Sequence, residues 1–226
     1  MNKIKLLFAV SLAANVVLVS LFCYKLYHNW FEIGALKAPF RASVFDAAPA
    51  DSSKIYFVGD SHTEAFELNE LLQNGNVRNR GIWGDNSKGV LGRIKGVAER
   101  HPQKLFLMIG VNDVCAGASI QEVAANVEQT VKIIKSISPN TQVFIESVLP
   151  ANWKILHTDD MPSNRIKELN ELYKIICQQN KLVYINLFPD FFDGKGLKQE
   201  YSFDGLHLTG TGYVHLASLL KPYVNR

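Results

Sequence analysis

Residues 54–62 read Lys-Ile-Tyr-Phe-Val-Gly-Asp-Ser-His. The β-branched and aromatic run Ile55 to Val58, closed by Gly59, predicts a buried strand. Asp60 and Ser61 would then stand at its C-terminal tip, ahead of a helix starting near Thr63. In open parallel sheets that edge is where ligands bind, and a helix N-terminus there adds free amides and a favourable dipole. Simple helix capping accounts for Asp60 and Ser61 as well, since both are preferred N-cap types.

Working outward, the same unit recurs. Strands are predicted near 54–58, 76–79, 104–109, 141–147 and 182–187. They alternate with helices near 63–73, 87–99, 119–136 and 163–179, and a last helix lies near 210–224. Alternation of this kind implies an α/β fold, a parallel sheet with helices on both faces. Ser119 precedes Glu122 at capping-box spacing, and Ser138-Pro139-Asn140 stops that helix before the next strand. The roughly 170 residues from Lys54 onward can bury one sizeable core, and neither a repeat nor a low-complexity tract divides them.

Three further segments carry chemistry. Lys104 to Ile109 is an apolar strand ending in Gly110-Val111-Asn112-Asp113. Asn112 could donate its amide to a developing oxyanion, and an Asx-turn explains it equally. Asn79-Arg80-Gly81-Ile82-Trp83-Gly84-Asp85-Asn86-Ser87 follows a short strand, and its glycines allow backbone to approach a ligand or simply to turn. Asp204-Gly205-Leu206-His207 places a carboxylate three residues before an imidazole. A hydroxyl nucleophile needs an imidazole to take its proton and a carboxylate to fix that imidazole's tautomer, so the pairing with Ser61 suggests a serine esterase. Thr63 stands where the Gly-x-Ser-x-Gly elbow needs its second glycine, which excludes the α/β-hydrolase pattern.

The four blocks, in this order across residues 54–224, resemble the SGNH (GDSL) hydrolases, and most of all the platelet-activating-factor acetylhydrolase-like and carbohydrate acetylesterase-like members. The resemblance implies a three-layer α/β/α flavodoxin-like sandwich around a five-stranded parallel sheet. It also implies a catalytic set of Ser61, His207 and Asp204, and an oxyanion hole built from Ser61, Gly84 and Asn112. Asp60 and Asp113 become loop supports. Two departures stand out: His62 where leucine is usual, read as a surface or helix-cap residue, and Trp83 where a small residue is usual. Neither is expected to touch the catalytic groups. Trp83 is left as a wall of the acyl pocket, a platform for a sugar face, or packing under a loop. His215, in the apolar pattern of the last helix, is read as packed or superficial.

A different signal occupies the N-terminus. After Lys3 and Lys5, the 19 residues Leu6 to Tyr24 are uncharged and mostly apolar, ending at Lys25. At about 1.5 Å per residue such a run just crosses a hydrocarbon core of roughly 30 Å. The expected organisation is an N-terminal anchor over 1–27, a linker over 28–52 and the hydrolase domain over 53–226. Its basic flank favours a cytoplasmic start, which puts the domain on the periplasmic or extracellular side. No small-x-small cleavage site ends the run, and Phe22 is a poor fit before Cys23 for lipoprotein processing.

Composition narrows the partners. The net charge of +3 rests entirely on Lys3, Lys5 and Lys25, so the domain is balanced and offers no basic patch for nucleic acid. A small-molecule or glycan ester is the expected substrate, without cofactor or metal. His157, Asp159 and Asp160 lack a second histidine or cysteine at ligand spacing. Cys115 and Cys177 do not by themselves imply a disulfide. Two long connections, 149–162 and Phe188 to Asp204, are read as structureless loops, the first a place for selectivity or plain solvated surface. Within the same fold the rival activity is a lysophospholipase or thioesterase for longer chains. The rival outside enzymes is a tethered glycan-binding module.

Overall fold

The computed structural model describes residues 3–152 and 162–225. It separates into two units, Met1–Arg41 and Ala42–Arg226. The described residues of the first belong to a long helix, α1 (Lys3–Ala47). Its Lys3–His28 portion is long and apolar enough to cross a membrane, and side chains such as Leu7, Phe8, Leu18 and Phe22 are exposed. A signal sequence would meet the same test. The helix continues beyond residue 28, where a linker was expected, and ends only at Ala47.

The second unit is built on five parallel strands: β1 (Ile55–Gly59), β2 (Val77–Gly81), β3 (Lys104–Met108), β4 (Gln142–Glu146) and β5 (Val183–Ile185). Their order is β2-β1-β3-β4-β5. The chain therefore leaves β1 toward one edge and resumes at β3 toward the other. The switch point falls between the tips of β1 and β3, where such sheets bind ligands.

Helices cover both faces. Between β1 and β2 lie α2 (Ser61–Glu64) and α3 (Leu68–Leu72), and α4 (Ser87–Ala98) leads from β2 to β3. Next come α5 (Val111–Cys115) and α6 (Ile120–Ile137) before β4, then α7 (Pro162–Asn180) before β5. After β5 stand α8 (Phe188–Phe191) and α9 (Gly210–Val224). On one face Val58, Leu105, Leu107 and Ile145 pack with apolar residues of α4, α6 and α7. On the other, Phe57, Phe106 and Phe144 occupy one register across β1, β3 and β4. Their rings stack at 4.5 and 4.4 Å and join Leu72, Leu216 and Leu220 in a second core. The three-layer expectation is met.

Three local expectations change. The helix expected over 63–73 is broken between α2 and α3, because the Asn79 amide takes the carbonyls of Thr63, Glu64 and Phe66 and so ends the first turn. Ser119 does N-cap α6, but its hydroxyl donates to Gln121 Oε1 at 2.9 Å rather than closing a box with Glu122. The stretch from Phe188 to Asp204 is not structureless. It holds α8, a 3₁₀ turn at Gln199–Tyr201 and an antiparallel bridge between Phe192 and Leu197, anchored by buried Phe188, Phe191 and Leu197. Cys115 and Cys177 are free thiols. Trp153, His157, Asp159 and Asp160 lie outside the described residues.

Candidate active site

Every block singled out in the sequence reaches the carboxyl edge of the sheet. β1 ends at Gly59, and Asp60 N-caps α2 by accepting the His62 amide at 3.0 Å. Capping is therefore real, and it leaves Ser61 as the first helical residue, 3% exposed. β3 ends at Met108, and Gly110, with φ at +126°, turns the chain into α5, which carries Asn112. A side chain at Gly110 would collide with Leu169, Tyr173 and Val148, so glycine alone fits that corner.

The acid and the imidazole come from one tight loop. Asp204 Oδ2 lies 2.6 Å from His207 Nδ1, while Oδ1 accepts the amides of His207 at 2.7 Å and Leu206 at 2.9 Å. Burial works to raise the Asp204 carboxyl, but these hydrogen bonds outweigh it and hold the group down at about 2. An ionised Asp204 accepts from Nδ1–H and so leaves Nε2 of a neutral His207 as the basic nitrogen. The loop is pinned to the segment that follows β4 by Asn152, whose backbone amide donates to the Gly205 carbonyl at 2.7 Å.

His62 is not the surface residue expected. It is buried, its Nε2 donates to the Leu206 carbonyl at 2.8 Å, and Nδ1 lies 3.4 Å from Asp60 Oδ1. Burial opposes its charge, yet Asp60 and the Leu206 carbonyl together push its pKa up. The Leu206 contact fastens the residue after Ser61 to the residue before His207. Tyr213 on α9 secures the same segment by donating to the His62 carbonyl at 3.0 Å.

The Gly84 loop is held from both sides. Glu64 accepts the Trp83 amide, and Asn112 Nδ2 donates to the Asp85 carbonyl at 2.8 Å. An amide group has two N–H donors, so Asn112 keeps one for another acceptor. Gly84 is exposed, with φ at +76°, and among the described residues neither its amide nor that of Ser61 is engaged. Asp113 accepts the backbone and hydroxyl of Ser87 and fixes the start of α4, the support role expected of it. Trp83 departs from expectation: its ring stacks on His207 at 4.5 Å and 21°, and it is 49% exposed. Sequence reading also passed over Arg93, whose guanidinium reaches Gly59, Arg80 and Asp85. His215 packs against Tyr201 and Phe191, as expected of a structural histidine.

A model of the GDSL-like lipase/acylhydrolase family matches residues 57–214. Platelet-activating factor acetylhydrolase IB subunit alpha2 of Rattus norvegicus is 28% identical over 180 residues, covering 74% of this chain and 73% of that protein. Among solved structures, one from Streptococcus pneumonia named for platelet activating factor superposes with a TM-score of 0.76 at 27% identity, over 90% of this chain and 98% of that one. A GDSL-like lipase from Bacteroides thetaiotaomicron shares the fold, with a TM-score of 0.74 at 23% identity over 83% and 97% of the two chains.

Proposed function

This chain belongs to the GDSL-like lipase/acylhydrolase family, and from its ester-hydrolysing chemistry we propose a serine esterase that removes a short acyl group, acetyl foremost, from a carbohydrate or lipid. The observation that carries this reading is the 2.6 Å contact between Asp204 and His207 Nδ1, at the same sheet edge as Ser61.

In this mechanism His207 Nε2 takes the Ser61 proton as Oγ attacks the ester carbonyl. The negative charge that forms on the carbonyl oxygen is met by the amides of Ser61 and Gly84 and by the second N–H of Asn112. Each such donor is typically worth about 3 kcal/mol in the transition state. Collapse expels the alcohol, which receives the proton from His207 and leaves an acyl-Ser61. Water, deprotonated by His207, then attacks the acyl carbonyl, and the returning proton restores the serine. Asp204 stays ionised and stabilises the transient imidazolium.

We further propose that Lys3–His28 anchors the enzyme and that the α/β unit lies on the exported side, in keeping with Lys3 and Lys5 on the flank. Carbonate-washed membranes would retain the full-length chain if the helix spans, and recovery of a shortened chain in the soluble fraction would mark a cleaved signal. The chemistry is tested by assaying full-length protein in detergent against p-nitrophenyl esters from acetyl to octanoyl, beside Ser61→Ala. Activity that falls with chain length and vanishes in the variant is expected. Rates rising toward octanoyl would replace the acetyl preference with a lysophospholipase or thioesterase, and an active Ser61→Ala would remove the mechanism.

A further inference from the structure

Arg93, on α4, ties the strand that precedes Ser61 to the loop that carries Gly84. Its side chain is 13% exposed and saturates three acceptors from three segments. Nε donates to Asp85 Oδ2 at 2.8 Å, one terminal nitrogen donates to the Arg80 carbonyl at 2.9 Å, and the other donates to the Gly59 carbonyl at 3.1 Å. Gly59 ends β1 two residues before Ser61, Arg80 is the penultimate residue of β2, and Asp85 follows Gly84. The Asp85 carbonyl in turn accepts from Asn112 Nδ2. All three proposed oxyanion donors are thus referred to one planar group: Ser61 through Gly59, Gly84 through Asp85, and Asn112 through the Asp85 carbonyl.

The guanidinium is suited to this task. Its fork has fixed angles, so acceptors that satisfy it together are held at fixed separations, whereas an ammonium is a rotatable point charge. Donors of an oxyanion hole must sit within about 0.5 Å of their working positions to be effective. Burial pushes the Asp85 carboxyl up, and Arg93 is the foremost group pulling it back toward the ionised form that accepts from Nε. The Ile82 amide also ties the loop to the Gly59 carbonyl at 3.0 Å, so removing the fork takes away the contact that links Asp85 and Gly59 through one rigid group, while leaving Ser61, His207 and Asp204 chemically intact.

We propose that Arg93 is a positioning residue that sets the spacing of the oxyanion donors, an inference that rests on the esterase reading of the site. The test compares full-length wild type, Arg93→Lys, Asp85→Asn and Ser61→Ala in detergent, measuring kcat and KM on p-nitrophenyl acetate together with thermal unfolding. Arg93→Lys keeps the charge and loses the fork. It is expected to lower kcat by about tenfold to a hundredfold with KM held within about twofold, the signature of donors felt only in the transition state. Asp85→Asn, which removes the charge and one of the two carboxylate oxygens that accept from Arg93 Nε and the Asn86 amide, is expected to show the same split and keeps the test open if Arg93→Lys unfolds. Wild-type kcat in either folded variant would overturn the proposal, as would a loss that disappears when rates are expressed per folded molecule. A wild type without esterase activity, or an active Ser61→Ala, would remove the underlying reading instead, and these controls separate the two failures.

Discussion

The indole of Trp83 lies on the imidazole of His207, with ring centroids 4.5 Å apart and planes 21° apart. In the proposed mechanism His207 becomes a cation as Ser61 attacks, and an aromatic face beside a cation is worth about 0.5 to 1 kcal/mol at a partly exposed site. Trp83→Leu should therefore lower kcat/KM for an acetyl ester by about threefold to fivefold, and Trp83→Phe should recover part of it. A half-exposed side chain contributes little to the core, so the melting temperature should move by only a degree or two. Equal activity of the leucine variant and the wild type would assign Trp83 to packing or to a substrate platform instead.

Asp204 offers a second test. An asparagine there can present an N–H to His207 Nδ1, which favours the tautomer with its proton on Nε2 and removes the base. Asp204→Asn should reduce kcat by about 10³- to 10⁴-fold. The carboxyl also leaves a pH signature. Its folded value of about 2 lies below the ordinary 3.8, so its stabilising contribution is complete above about pH 4 and is lost as pH falls toward 2. Denaturant midpoints of wild type and variant should differ near neutral pH and converge in acid. A gap that stays constant with pH would sink this account.

Much of the scaffold is legible in the sequence because four of the five strands are short, mostly apolar runs closed by glycine or polar residues, a pattern that depends only on neighbours; β2, Val-Arg-Asn-Arg-Gly, is the exception. Ser61, Asn112, Asp204 and His207 are legible for the same reason, since each follows such a run or sits in a compact motif. His62 is not, because its burial depends on the Leu206 carbonyl 144 positions away. Arg93 is hidden by a further fact: two of its three acceptors are backbone carbonyls, and a carbonyl carries no residue type for a reader to notice. The break between α2 and α3 is hidden on similar grounds, since Asn79 ends the helix from the neighbouring strand.

Asn112 is tied to the Gly84 loop by one of its two N–H bonds, 2.8 Å from the Asp85 carbonyl. The other is proposed for the oxyanion. Asn112→Ala removes both, and should lower kcat by about 10²- to 10³-fold on every ester tested, without reordering them. Asn112→Asp keeps the size but replaces donors with acceptors, and should be at least as damaging. Should the alanine variant retain full kcat while KM rises, Asn112 would be a ground-state binding residue and the oxyanion role would fail.

Glu146 closes β4 and is 3% exposed, and burial pushes its carboxyl up to about 8. In the unfolded chain it ionises near 4.5, so between about pH 4.5 and 8 folding must keep protonated a group that the unfolded chain releases. Stability contributed by the neutral form is complete below the lower value and declines as pH rises toward the upper one, after which the loss levels off. Glutamine has the same shape without the charge. Glu146→Gln should match the wild type near pH 4 and become progressively more stable up to about pH 8, by on the order of a few kcal/mol at most. Thermal unfolding across that range reads the effect directly. A stability difference independent of pH would mean that Glu146 is ionised in the fold and that burial does not govern its titration.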